Sequence, residues 1–294
     1  MLRRGKYLVR SLLLRLGIVA VVVLLSGLIC ATLVRFAPGF GVDERELDPR
    51  LANESVRALR SLHENQRNVA SFYADYVKRL MHGDLGASQL FSQPIAALVK
   101  QRAPTTACNI LYGLVMAWAL GLVLAVCAIL LQNPVADCFI SSGAGTLISI
   151  PAGIVALSVV ILKAPAFIAV GITLLPMLYR YSRNILQRAW MAPWMTAARA
   201  KGLGRAHLLF RHALPVAGPQ LIALGGVSIN LAFSASLPVE VVADAPGIGQ
   251  LAWQAALGRD LPLLVTLTAL ITTMTLMASA IASVLNEASQ PGEA

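Results

Sequence analysis

Between Arg180 and Arg211 the chain carries seven Lys or Arg residues and no Asp or Glu. Such a stretch does ionic chemistry: it binds nucleic acid, or it fixes which side of a membrane a loop occupies. Other reactive groups offer less. His63, His82, His207 and His212 lack the spacing of a helical zinc pair, and the last two stand five apart in the basic stretch. No glycine-rich loop ends in Gly-Lys-Ser or Gly-Lys-Thr, so nucleotide binding of the P-loop kind is excluded, and no Ser sits in a nucleophile elbow. Cys30, Cys108, Cys127 and Cys138 form neither a disulfide framework nor a metal-ligand pattern. The residues therefore predict a chain that is no enzyme and binds no metal or cofactor itself.

The elements that must position the basic stretch are membrane helices. Of 294 residues 57% are hydrophobic and 13% charged, with a mean hydropathy of +0.71, too apolar for a soluble domain to cover its surface. A crossing takes roughly 20 mainly apolar residues. Such stretches fall at about 16–34, 106–131, 139–162, 165–179, 217–237 and 263–285, which predicts an all-α integral membrane protein with about six transmembrane helices. A five-crossing reading with a helical hairpin at Lys163 stays open.

Charge then assigns sides. Arg3, Arg4, Lys6, Arg10 and Arg15 precede the first stretch without an acid, which places the N-terminus in the cytoplasm. Residues 36–105 hold nine basic and eight acidic residues and suit translocation. After six spans the 180–215 loop and the C-terminus are cytoplasmic, and the net charge of +10 reports topology rather than nucleic-acid binding. The first stretch resembles a signal peptide. Its length and the unsuitable cleavage context at Arg35-Phe36-Ala37-Pro38 favour a retained anchor. The expected organisation is a cytoplasmic N-terminus with the first span (1–35), a periplasmic region with amphipathic helices (36–105), a transmembrane core containing the loop 180–215 (106–287), and a cytoplasmic tail (288–294).

Within 36–105, Val69, Phe72, Tyr73, Tyr76, Val77 and Leu80 recur at helical spacing. They predict an amphipathic helix on the outer membrane face or on a neighbouring subunit. Its end falls at Gly83-Asp-Leu-Gly-Ala-Ser88, and a short helix from Ser92-Gln93-Pro94 breaks at Arg102-Ala103-Pro104. Acids are absent between Asp137 and Glu240, which weakens an ion-coupled mechanism needing carboxylates in mid-membrane.

In the basic loop, Trp194–Lys201 reads as a short helix, Gly202-Leu203-Gly204 as a break, and Arg205–Leu214 as a second helix that Pro215 stops. Ala197, Ala198 and Ala200 leave one side without bulk, open to a partner's groove. Ala198-Arg-Ala-Lys-Gly-Leu203 followed by Arg211-His-Ala-Leu-Pro215 resembles the coupling loop of ABC-transporter permeases, in the branch importing dipeptides, oligopeptides and nickel. Arg35-Phe-Ala-Pro-Gly39, Gly83-Asp-Leu-Gly-Ala-Ser88, and Glu240-Val-Val-Ala-Asp-Ala-Pro-Gly-Ile-Gly249 with Arg259-Asp-Leu-Pro262 are similar to further segments of that branch, in the same order. The chain departs from the family at Thr196 or Ala197, where Glu often opens the motif. It departs again at Ala243, in place of an aromatic, and at Lys163-Ala-Pro165, a shortened outer loop.

The resemblance implies the type I ABC importer permease fold and a subunit of the bacterial inner membrane forming half of a pathway for peptides or a similar small solute. It implies as partners a second, different permease, two ATP-binding cassette ATPases that bind ATP and Mg, and an extracytoplasmic solute-binding protein. Lipid surrounds the chain and nucleic acid is no partner. The coupling surface would comprise Ala197, Ala198, Arg199, Ala200, Lys201, Gly202, Leu203, Arg205, Leu214 and Pro215, with Arg199, Lys201 and Arg205 available to acids on the ATPase. Glu240, Pro246, Gly247, Gly249 and Asp260 would lie at the outer mouth, on the substrate side. Two other classes stay open: a self-sufficient secondary carrier or channel, and a non-transporting scaffold of the same fold.

Overall fold

The computed structural model describes residues 2–36, 69–131 and 133–289. They are helical, and the one β-bridge among them is the isolated pair Ala87–Pro94. The helices are α1 (Leu2–Phe36), α2 (Val69–Met81), α3 (Ile95–Leu131), α4 (Pro134–Ile148), α5 (Ala152–Ile161), α6 (Ala166–Trp190), α7 (Pro193–Ala200), α8 (Arg205–Leu208), α9 (Leu214–Val242), α10 (Ile248–Leu257) and α11 (Leu261–Ser289). A π turn, Leu209–Ala213, joins α8 to α9. The chain forms two compact units, residues 1–102 with 251–274 and residues 103–250 with 275–294.

In the first unit, α2 lays the expected apolar face on helices of its own chain. Phe72 and Tyr76 are buried with Ala31 of α1 and Leu261 and Val265 of α11, and Tyr73, Val77 and Leu80 pack around them. The Tyr73 hydroxyl donates to the Leu24 carbonyl. The apolar face expected to lie on a membrane or another subunit is therefore covered within the chain.

In the second unit, α6 is the hub, packed against α4, α5 and α9. Val170, Leu174, Leu178, Tyr179 and Leu186 are buried along it. It meets α3 at two glycines: a Cβ on Gly113 would lie 2.9 Å from the Phe167 carbonyl oxygen, and one on Gly171 would lie 3.1 Å from the Gly113 carbonyl oxygen. Small residues permit this approach in lipid, where helix association rests on packing.

The six expected crossings need correction. Among the described residues, four helices have the length and composition to cross: Gly17–Phe36, Ile95–Leu131, Arg205–Val242 and Leu261–Ala280. Stretch 139–162 is instead two helices, Pro134–Ile148 and Ala152–Ile161, bent by 97°, with Pro151 capping the second. Counting that pair as one span makes five. Stretch 165–179 lies in α6, where Arg180, Arg183 and Arg188 follow too soon for a full apolar length. Two proline breaks also fail. Pro104 is absorbed inside the 37-residue α3. Pro215 stands in the first turn of α9, directly after the π turn, so its missing N–H falls where the hydrogen-bond ladder has already changed register.

Gly171→Val should overpack the α3–α6 crossing and cost about 1–3 kcal/mol. Thermal unfolding of the detergent-solubilised protein should show a lower midpoint than the parent, whereas the same change at Gly143, where a Cβ meets nothing within 4 Å, should leave it near the parent value.

Candidate functional site

The basic loop folds as the alternation of apolar and small residues dictates. Pro193 occupies the first turn of α7, where its missing N–H costs nothing. Met195 is fully buried, and Ala198, Leu203 and Leu214 pack on the core formed by Leu208, Leu209 and Ala213. The opposite side presents Thr196, Ala197, Ala200 and Lys201 to solvent. Helix α7 stops at Gly202, whose φ of +73° is a left-handed C-terminal cap that a side chain would strain. Open space surrounds its Cβ position, so conformation rather than room requires glycine. Gly204 then opens α8, and Pro215 is exposed.

The three cations divide. The Arg199 guanidinium lies 5.1 Å above the Trp190 ring centroid, and its Nη2 donates to the Trp190 carbonyl at 2.8 Å. Arg205 Nη1 donates to the Leu130 carbonyl at 3.4 Å. Lys201 is exposed. A pocket of about 360 Å3 opens beside Arg199, lined among others by Asn133, Asp137, Arg183, Gln187 and Trp190. Arg183 forks onto Asp137, Nε to Oδ1 at 2.8 Å and Nη2 to Oδ2. Bidentate geometry makes this stronger than a loose surface pair.

Of the residues expected on the substrate side, Glu240 and Asp260 are engaged internally. Glu240 is fully buried at the end of α9. Its Oε2 accepts from the Gly249 N–H at 2.8 Å, and its Oε1 from Asn109 Nδ2 at 3.4 Å. The Thr106 hydroxyl also bonds the carboxylate and accepts from the Ile248 N–H at 2.8 Å. A Cβ on Gly247 would fall 2.2 Å from Glu240 Oε2, so only glycine lets the turn close over the acid. Pro246 is exposed.

In the other unit, Asp260 is also buried. It accepts from the Leu263 N–H at 3.1 Å, capping α11, and from the Leu90 N–H at 3.0 Å and the Ser88 hydroxyl. The Gly-Asp-Leu-Gly-Ala-Ser and Arg-Asp-Leu-Pro segments thus meet through one carboxylate.

Sequence reasoning missed Asn109, Thr106, Trp190 and the Asp137–Arg183 pair. Asp137 was the available signal, the last acid before Glu240. It also missed a polar stripe on α9. Ile222 and Ile229 are exposed on one side of the helix, as lipid requires, while Gln220, Asn230 and Ser234 share another side with Val227 and are exposed or half-buried. Asn230 Nδ2 donates to Ser279 Oγ at 3.1 Å, and its Oδ1 is buried without a partner among the described residues. A search confined to ionisable groups passes over neutral amides.

Residues 117–293 match the family described as binding-protein-dependent transport system inner membrane component, and the chain belongs to that family. The oligopeptide transport system permease protein OppB of Salmonella typhimurium is 28% identical over 263 residues, covering 81% of this chain and 84% of its own. A putative peptide transport system permease of Brucella abortus is 27% identical over 210 residues, covering 62% and 67%. Among solved structures, the MetNI methionine ABC transporter in an inward-facing crystal form aligns with a TM-score of 0.53 over 64% of this chain and 92% of that one. At 19% identity this likeness is one of fold, that of an ABC importer permease. The protein is a multi-pass helical subunit of the bacterial inner membrane that serves transport.

Replacing Glu240 by Ala should leave the Gly249 N–H without its acceptor, at about 1–3 kcal/mol for a buried donor. Hydrogen exchange at residues 245–250 should then quicken relative to the parent.

Proposed function

We propose that this chain is one of two different permease subunits that together enclose a pathway for peptides, driven by two cytoplasmic ATPases that bind ATP and Mg, and fed by an extracytoplasmic binding protein. It catalyses nothing itself. The observation carrying this reading is α7: a short projecting helix with Thr196, Ala197 and Ala200 outward, closed by a left-handed glycine, in a loop without an acid. Small side chains let a groove approach the backbone closely, while exposed ion pairs contribute only about 0–1 kcal/mol each. Shape at Ala197 and Ala200 therefore outweighs charge at Lys201.

Sidedness fits this role. An even number of crossings before the loop returns the chain to the side of its basic N-terminus. The number is two if α1 and α3 alone cross and four if the bent pair and α6 both cross; a crossing by the bent pair without α6 would make three and put the acid-free basic loop opposite the basic N-terminus, against the positive-inside bias. With an even number, both termini and the loop are cytoplasmic. On the pathway side, the Gln220–Asn230–Ser234 stripe sets neutral polar groups in a membrane helix, where polar groups are retained for a task; Gln220 is exposed, while Asn230 bonds Ser279 and the Ser234 hydroxyl bonds the Asn230 carbonyl. Neutral amides match the N–H and C=O groups common to every peptide, whatever its side chains. The similarity to OppB, named for oligopeptide transport, supports the same cargo. Glu240 and Asp260 hold the outer segments in shape on this reading and meet no cargo.

Reconstituted alone in liposomes with an ion gradient, the chain should import no peptide, and adding its partner subunits, binding protein and ATP should restore uptake. Uptake by the chain alone would establish the self-sufficient carrier instead. Gly202→Asp should insert normally yet lose ATPase association or coupling, read by co-purification and by ATP-driven import; normal import in that variant would remove the coupling assignment. Asn230→Leu should lower peptide import by about ten-fold, the scale of one or two lost hydrogen bonds, while ATPase co-purification stays at the parent level.

A further inference from the structure

Two of the loop's cations, Arg199 and Arg205, are aimed at its own membrane helices. The last four carbonyls of a helix have no partner within it, and the C-terminal end carries partial negative charge. Trp190 is the last residue of α6, and Leu130 is the penultimate residue of α3. Arg199, in the last turn of α7, bonds the Trp190 carbonyl at 2.8 Å while stacking over the same residue's ring. Arg205, the first residue of α8, reaches the Leu130 carbonyl at 3.4 Å. The two guanidiniums thus occupy the C-terminal ends of two different helices, one from each side of the Gly202 break.

Packing shares this hold but leaves the polar contact to the arginines: Met195, Leu208 and Leu209 are buried in one core with Trp190 of α6 and Ile129 of α3. Beside Arg199 the space between the end of α3, the start of α4 and the end of α6 is the pocket of about 360 Å3, so the Arg199 side chain spans a gap rather than a filled core. Met195 anchors α7 from another side. Guanidinium suits the position because it is planar and presents several fixed donors, so it can stack on the indole and bond the carbonyl at once, which an ammonium cannot.

We infer that Arg199 and Arg205 are positioning residues that clamp the coupling loop to the ends of α6 and α3, so that displacement of α7 by the ATPase moves the membrane helices rather than the loop alone. This inference rests on the coupling role proposed above. It separates two properties that an ATPase contact would join: assembly with the ATPase depends on the outward face of α7, and transmission depends on the clamp.

The test uses the complete complex of both permeases, ATPases and binding protein in proteoliposomes, with Arg199→Ala, Arg199→Lys, Arg205→Ala, Trp190→Phe and Gly202→Asp measured in parallel. Arg199→Ala should retain its ATPase at parent stoichiometry and hydrolyse ATP, while peptide imported per ATP falls by about five-fold or more, the range of a lost coupling interaction. Arg205→Ala should fall less, in keeping with its longer bond. Arg199→Lys should behave like the alanine variant and serves in its place should the latter fail to accumulate in membranes. Trp190→Phe, which keeps the carbonyl and an aromatic face, should import at close to the parent ratio. Loss of ATPase co-purification in Arg199→Ala would make Arg199 an ATPase contact and overturn the clamp, as would an unchanged import ratio in Arg199→Ala and Arg199→Lys. If Gly202→Asp itself assembles and imports normally, the fault lies in the coupling role and not in the clamp alone.

Discussion

Where the described helices of this chain end, backbone groups lose their helical partners, and the structure depends on how those groups are met. In an apolar surrounding an unpaired N–H or C=O costs several kcal/mol, so breaks survive only where side chains or a local change of ladder take over. Glu240 takes the amide of Gly249, Asp260 those of Leu90 and Leu263, and Asn133 those of Val135 and Ala136 at the start of α4. Arg199 takes the terminal carbonyl of α6. The conspicuous polar residues of this chain are thus spent at its helix ends, and their first task is to let a membrane protein bend.

A carboxylate in Glu-Val-Val-Ala-Asp-Ala-Pro-Gly-Ile-Gly invites a role in binding cargo, yet Glu240 sits beneath the turn with Gly247 closed over it. Its neighbours Asn109 and Thr106 come from α3, far away in sequence, so the turn is fastened to a membrane helix.

Much of the fold was legible. Helical periodicity located α2 and the residues it buries, because an amphipathic pattern of period 3.6 has one stable reading. The short helix of the basic loop and the left-handed stop at Gly202 were also readable, since glycine is favoured for that backbone geometry. Crossings were harder. The 97° bend between α4 and α5 and the arginines of α6 divide stretches that look continuous on a hydropathy scale, which sums composition and is blind to direction. Pro104 and Pro215 misled for a related reason: proline removes one hydrogen bond, and whether that breaks a helix depends on neighbouring packing and register.

By itself the sequence determined the membrane class and the family, because those follow from composition and the order of short segments, all local properties of the chain. Tertiary structure alone decided where each polar side chain is committed: Arg199 to the end of α6, Arg205 to the end of α3, Glu240 to Gly249, Asp137 to Arg183. A charge in a sequence has a sign but no direction. Its partner is chosen by helices that meet only after folding, where the alternative to pairing is an unsatisfied group away from water.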